Sequence, residues 1–227
     1  MDNTELIDKF LDHYWLSSGA SQNTLSAYRS DLKLFSKWLD SDLSHVSNTH
    51  INDYFKHRQL SAATQARILT CLRIFYQYLI TQQAIEANPT ARLHHPKQIQ
   101  KLPVFLNIEE VDQLLNTTDK NTIFGMRDRA MLELLYSCGL RVSELINLNY
   151  HNTNLNEEYI RIHGKGNKER MVPVLPIVAD AIDAYIAACP YPLMADRRLF
   201  LGQRGGPLGA RVIQAHMARL RSALDLP

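Results

Sequence analysis

The sequence has 227 residues, room for one large domain or two modest ones that each bury a core. Apolar residues make up 45% and charged residues 21%, as in ordinary water-soluble globular proteins, and no apolar run reaches membrane-spanning length. A formal charge of only +2 neither demands nor excludes a nucleic-acid partner, because a basic face can hide inside a neutral total.

The opening "MDNTELIDKF" is acidic and lacks an apolar core, so no signal peptide is expected. In "NTLSAYRSDLKLFSKWL", Leu25, Tyr28, Leu32, Phe35 and Leu39 recur at intervals of three and four, which predicts one face of a helix. "HINDYFKHRQL" reads as a shorter helix. "TQARILTCLRIFYQYLI" repeats the pattern with Ile68, Leu69, Leu72, Phe75, Tyr76 and Leu79 in one arc, while Arg67 and Arg73 point elsewhere. The first part of the chain is therefore expected to be a small all-α bundle with a polar and basic exterior. Cys71, Cys138 and Cys189 are odd in number, far apart and set among apolar neighbours, the pattern of reduced core thiols in a cytoplasmic protein.

Pro89, Pro96 and Pro103 punctuate "NPTARLHHPKQIQKLP", and the polar residues between them lack a period, so a connector is predicted over 89–103. Structure should restart at "LNIEEVDQLL", where Asn107 and Glu110 have the spacing of a capping box. A helix is predicted over 126–138, with Met131, Leu134, Leu135 and Cys138 on its apolar side. Gly139 suits a helix end, and a new helix should open at Arg141 or Val142. An arginine in so apolar a run needs an anionic partner. Two readings stay open: Arg141 helps to hold a phosphate, or it pairs with Glu144 or another carboxylate to fix the turn.

In "EEYIRIHGKGNKERMVPV" the alternation of Tyr159, Arg161 and His163 with Ile160 and Ile162 predicts a strand. "GKGNK" is a hairpin tip and "ERMVPV" the returning strand. Lys165 then stands between Gly164 and Gly166, free to reach into a groove or simply to be solvated. Lys168 and Arg170 on the same hairpin favour a phosphate-rich partner.

Together "NTLSAYRSDL", "ARILTCLRIFYQYL", "NPTARLHHPKQIQKLP", "RDRAMLELLYSCGLRVSELINL", "IHGKGNKERMVPV" and "LFLGQRGGPLGARVI" resemble, in order and over nearly the whole chain, the tyrosine recombinases (phage integrases), and among them the bacterial Xer type. The resemblance implies a mainly α fold with a small β-sheet. An N-terminal helical bundle, the SAM-like core-binding domain, would span residues 1–88, a linker 89–103, and an α+β catalytic domain 104–227. It implies site-specific DNA recombination through a 3′-phosphotyrosyl intermediate, without metal or other cofactor, in chromosome or plasmid dimer resolution or element integration. Arg141 and Lys165 would be catalytic; Thr24, Arg67, Lys168 and Arg170 would contact DNA. The expected partners are a double-stranded recombination site and a second recombinase subunit in a tetrameric synapse, in the cytoplasm.

One departure from the family pattern stands out. Family members continue into an H-x-x-R box, a further histidine or tryptophan, and the nucleophilic tyrosine. Here the sequence reads "RVIQAHMARLRSALDLP" to its end. "HMAR" satisfies the string but falls on the preceding amphipathic helix; Tyr185 and Tyr191 are expected to be packing residues, and His163 structural rather than catalytic. The catalytic domain is thus expected to be incomplete, and this chain alone to bind DNA weakly without cleaving it. The alternative reading is a non-catalytic DNA-binding protein that occupies recombinase sites; a helical protein-interaction module is a third.

Overall fold

A computed structural model describes residues 2–97, 102, 104–164, 168–192 and 197–226, apart from the side chains of Asn154 and Asn156. The chain divides into two compact units, Met1–Lys101 and Leu102–Pro227.

Serines start α-helices two to four of the first unit. α1 (Asn3–Ser18) is followed by α2 (Gln22–Leu39), α3 (Asn48–Arg58) and α4 (Ala62–Thr81). Ser21, Ser47 and Ser61 each accept a hydrogen bond from a first-turn N–H, those of Thr24, His50 and Thr64, which satisfies a donor the helix itself cannot pair. Phe10, Leu32, Phe35, Ile51, Leu72 and Phe75 are buried between the four helices. Phe10 meets Phe75 edge to face, with centroids 5.3 Å apart and planes at 84°. The helical face expected for residues 25–39 buries Tyr28, Leu32 and Phe35, and that of residues 68–79 buries all six of its apolar positions.

The proline-rich stretch is partly built into this unit. Asn88 donates to the Arg73 carbonyl (3.3 Å) and accepts from the Thr90 hydroxyl (2.7 Å), and Thr90 is fully buried. Arg73 in turn donates to the Leu93 carbonyl and lies 2.8 Å from His95 Nε2. Prolines stop a helix without preventing a turn from being pinned by side-chain bonds, so a stretch without period still docks.

In the second unit, α5 (Ile108–Asn116) begins with the capping box written in the sequence. Asn107 accepts from the Glu110 N–H (2.8 Å), and Glu110 accepts from the Asn107 N–H (2.7 Å). α6 (Ile123–Ser137) starts three residues before the expected 126, because the Thr122 hydroxyl caps the Gly125 N–H. After Gly139, whose φ is +60°, α7 (Val142–Asn147) opens with Arg141 at its cap. A sheet follows, of β1 (Thr153–Asn154), β2 (Tyr159–His163) and β3 (Glu169–Pro173), antiparallel in that order. α8 (Pro176–Ala188) and α9 (Ala210–Ala223) complete the unit. Leu134, Leu145, Leu148, Ile160, Ile162, Val178, Ile182 and Phe200 form the main core. The fold is thus mainly helical with a small antiparallel sheet, as the sequence implies.

Candidate functional site

Two hydrophobic anchors fix the direction of Arg141. Leu140 and Leu145 are buried on either side of it, and with their side chains turned into the core the Arg141 side chain is left pointing out, 73% exposed. The far end of α7 is tied down as well: Arg198 donates to the Asn147 side chain and, at 3.3 Å, to the Ile146 carbonyl. Sequence reasoning missed Arg198, which lies 51 residues from Asn147 and carries no local signal of that pairing.

Glu144 is the centre of the site. Its side chain is only 4% exposed, and burying a carboxylate so completely is costly unless every oxygen is met by a donor. Oε1 accepts from Arg141 Nη1 (2.9 Å) and Arg170 Nη1 (2.8 Å). Oε2 accepts from the Arg141 main-chain N–H (2.9 Å) and Arg170 Nη2 (2.9 Å). The carboxylate therefore has four donors, two of them from the planar fork of Arg170. Its pKa is drawn down to about 2, chiefly by the Arg170 hydrogen bonds and then by those of Arg141, against the opposing effect of burial.

The strand register places these groups together. Ile162 faces Arg170 and His163 faces Glu169 across the β2–β3 ladder, and the Gly164 N–H bonds to the Lys168 carbonyl at 2.8 Å to close the hairpin. A Cβ built on Gly164 would sit 3.6 Å from Arg170 Nη1 and 3.7 Å from Glu144 Oε1. The base of the hairpin thus lies against the carboxylate that holds Arg141. Lys165, expected to be catalytic, falls outside the described residues. Lys168 is exposed and its ammonium has no partner among the described residues. Arg170, expected to meet DNA, instead gives both terminal nitrogens to Glu144. Arg141 commits one nitrogen, leaving Nε and Nη2 without a partner among the described residues.

Thr24 and Arg67 belong to the first unit. Thr24 sits in the first turn of α2, its hydroxyl 3.0 Å from that of Ser21. Arg67 on α4 is half-exposed and ion-paired to the buried Asp31, whose carboxyl burial pushes up while Arg67 pulls it down. Arg29 pairs with Asp8. His216 of the "HMAR" string lies 3.2 Å from Asp128 on α6, and Arg219 is exposed. The Tyr185 hydroxyl accepts from the buried Leu201 N–H (3.1 Å), and Tyr191 donates to the Gln203 carbonyl (2.7 Å). The two tyrosines thus make the packing contacts expected of them, and His163 is half-exposed, 3.3 Å from Glu169.

A family model described as the phage integrase family matches residues 104–227, and one described as its N-terminal SAM-like domain matches residues 7–83. The chain belongs to the phage integrase family of tyrosine recombinases. This integrase-family chain is 40% identical over 195 residues to the tyrosine recombinase XerD of Shewanella oneidensis, covering 83% of the chain and 65% of that protein. It is 38% identical over 218 residues to the XerD of Staphylococcus aureus, covering 92% of the chain and 74% of that protein. The family fold extends to solved structures of low identity. A lambda integrase tetramer bound to a Holliday junction superposes with a TM-score of 0.75 at 18% identity, over 98% of this chain and 66% of that one. XerH bound to a difH substrate gives 0.71 at 18% identity, over 99% and 79%.

Proposed function

We propose that the protein carries out site-specific DNA recombination as a Xer-type tyrosine recombinase, in the resolution of chromosome or plasmid dimers. The observation that carries this reading is the exposed guanidinium of Arg141, held by a buried carboxylate beside the base of β2 and β3, with two nitrogens that have no partner among the described residues. The matched family models and the XerD relatives support it.

In the chemistry the family implies, a tyrosine oxygen, a role assigned to no tyrosine of this sequence, forms a bond to the DNA phosphorus and the bond from phosphorus to the 5′-oxygen breaks. The strand is left as a 3′-phosphotyrosyl ester and a free 5′-hydroxyl; a second strand's 5′-hydroxyl reverses the step and restores the phosphodiester. Negative charge builds on the non-bridging oxygens as the tyrosine attacks, and the planar, outward-facing guanidinium of Arg141 suits it. Lys165, which follows Gly164 in the sequence, would give its proton to the departing 5′-oxygen. Thr24, Arg67 and Lys168 would hold the duplex through its phosphates, contacts that position DNA without reading sequence. A double-stranded recombination site, a second recombinase subunit in a tetrameric synapse and a cytoplasmic setting complete the reading. Among the described residues no helix is long and apolar enough to cross a membrane.

The test is Arg141→Ala introduced into the gene at its own locus. Loss of one transition-state donor of this kind costs about 10²–10³ in rate. The expected result is a rise in unresolved chromosome dimers to the level of a gene deletion; segregation like the parent strain, where the deletion is defective, would falsify the reading.

A further inference from the structure

Arg170 is the cation of the hairpin whose geometry fits a DNA contact least. Both of its terminal nitrogens are bonded to Glu144, at 2.8 and 2.9 Å, and a fork engaged in this way has little left for a second anion. We infer that Arg170 is a positioning residue: it neutralises the buried carboxylate of Glu144, so that the charge of Arg141 is presented outward to a DNA phosphate. The inference rests on the proposed phosphate role of Arg141 and deepens it.

Charge counting carries the argument. Glu144 is buried and fully hydrogen-bonded, so it stays ionised and must have a cation close by. Were Arg141 its only cation, the pair would be neutral, and a phosphate would have to compete with a buried carboxylate for the same guanidinium. With Arg170 in place the three groups sum to one positive charge. The exposures say which guanidinium shows it: the Arg141 side chain is 73% exposed and the Arg170 side chain 40%. Arg141 gives Glu144 a single side-chain bond and its main-chain N–H, which fixes the residue while leaving Nε and Nη2 free among the described residues. Arg170 comes from β3, 26 residues along the chain, so the same bond pair also ties β3 to the mouth of α7.

Two substitutions separate this role from a direct phosphate contact, read as the affinity of the chain for a duplex DNA oligonucleotide over a series of salt concentrations. Arg170→Gln should reduce the slope of log affinity on log salt by about 1, as if a phosphate contact were lost. Direct contact predicts the same, so this variant alone does not decide. Glu144→Gln removes the charge that needs neutralising. Combining it with Arg170→Gln leaves Arg141 as the one net charge, equal to that of the parent. If Arg170 acts through Glu144, the double variant regains the parental slope and its affinity returns to within a few-fold. A structural prop would show no such charge-specific rescue. A double variant that folds but keeps the slope loss of Arg170→Gln overturns the inference, since it means that Arg170 itself meets phosphate. Should Arg170→Gln melt below the assay temperature, the double variant alone decides, because it buries no unpaired charge. Failure of the parent reading looks different: Arg141→Ala then leaves the slope unchanged, and the inference falls with it.

Discussion

The main-chain N–H and the guanidinium of Arg141 reach the same carboxylate, that of Glu144, each at 2.9 Å. An i to i+3 carboxylate returning to the cap N–H is the second half of a capping box, so here a helix start and an ion pair are one arrangement. The two readings that the sequence leaves open for Arg141, turn partner and phosphate holder, are thereby compatible, because the turn needs only one of its side-chain nitrogens.

Glu144 makes acid stability a test of this arrangement. Its pKa in the fold is about 2 against an ordinary value of 4.5. A depressed carboxylate contributes stability that is fully present above the unfolded value and disappears as pH falls through the folded one. The window is therefore about pH 5 down to 2, and the contribution is on the order of 3 kcal/mol. Urea melts across that range should show the parent losing stability that Glu144→Gln has already lost at neutral pH. Parallel pH profiles for the two proteins would contradict the pairing.

Leu145 is the buried pin beside Arg141, with no exposed surface. Leu145→Ala should cost about 2–5 kcal/mol, the lost transfer energy plus the cavity left behind. Denaturant titration followed by circular dichroism reads the loss directly. A change of under 1 kcal/mol would mean that α7 is not held through its core face.

Two glycines should respond differently to alanine. At Gly139 φ is +60° and an added Cβ meets nothing within 4 Å, so the cost is the left-handed backbone alone, about 1–2 kcal/mol. At Gly125 an added Cβ would lie 1.9 Å from the Asp119 carbonyl oxygen, a clash with backbone that no rotamer relieves. Gly125→Ala should therefore lower the melting temperature more than Gly139→Ala, although alanine is the better helix former by about 1 kcal/mol. The reverse order would show that the 119–125 turn yields freely.

Cys71 is fully buried, and burial pushes its thiol well above the usual range. The thiolate is the reactive form, so a soluble thiol reagent should leave Cys71 unlabelled until the first unit unfolds. Cys138 and Cys189 are half-buried and should react earlier. Peptide mass spectrometry after timed labelling gives the order, and rapid native labelling of Cys71 would refute its place in the core.

The signals legible in the sequence are the local ones. The period of residues 25–39 and 68–79 wrote two helices, and the Asn107–Glu110 box wrote a helix start to the residue. The alternation of residues 159–163 and the glycines after it wrote a hairpin. α1 buries Leu6, Ile7, Phe10 and Leu11 on one face, although acidic residues dominate the start of the chain. The stretch from Asn88 to His95 has no period and is docked all the same, by side-chain bonds that depend on Arg73 being nearby in space.

By itself the sequence determined the helices, the hairpin, their order and the family, because caps, turns and amphipathic periods depend on residues within a few positions of one another. Which of the two guanidinium groups faces outward was decided only by the tertiary structure. Arg141 and Arg170 look alike on the page, and only the folded chain brings Arg170 across 26 residues to fork the buried carboxylate of Glu144 and leaves Arg141 facing out. A buried charge takes the partners that the closed chain delivers to it, and no local pattern specifies which those are.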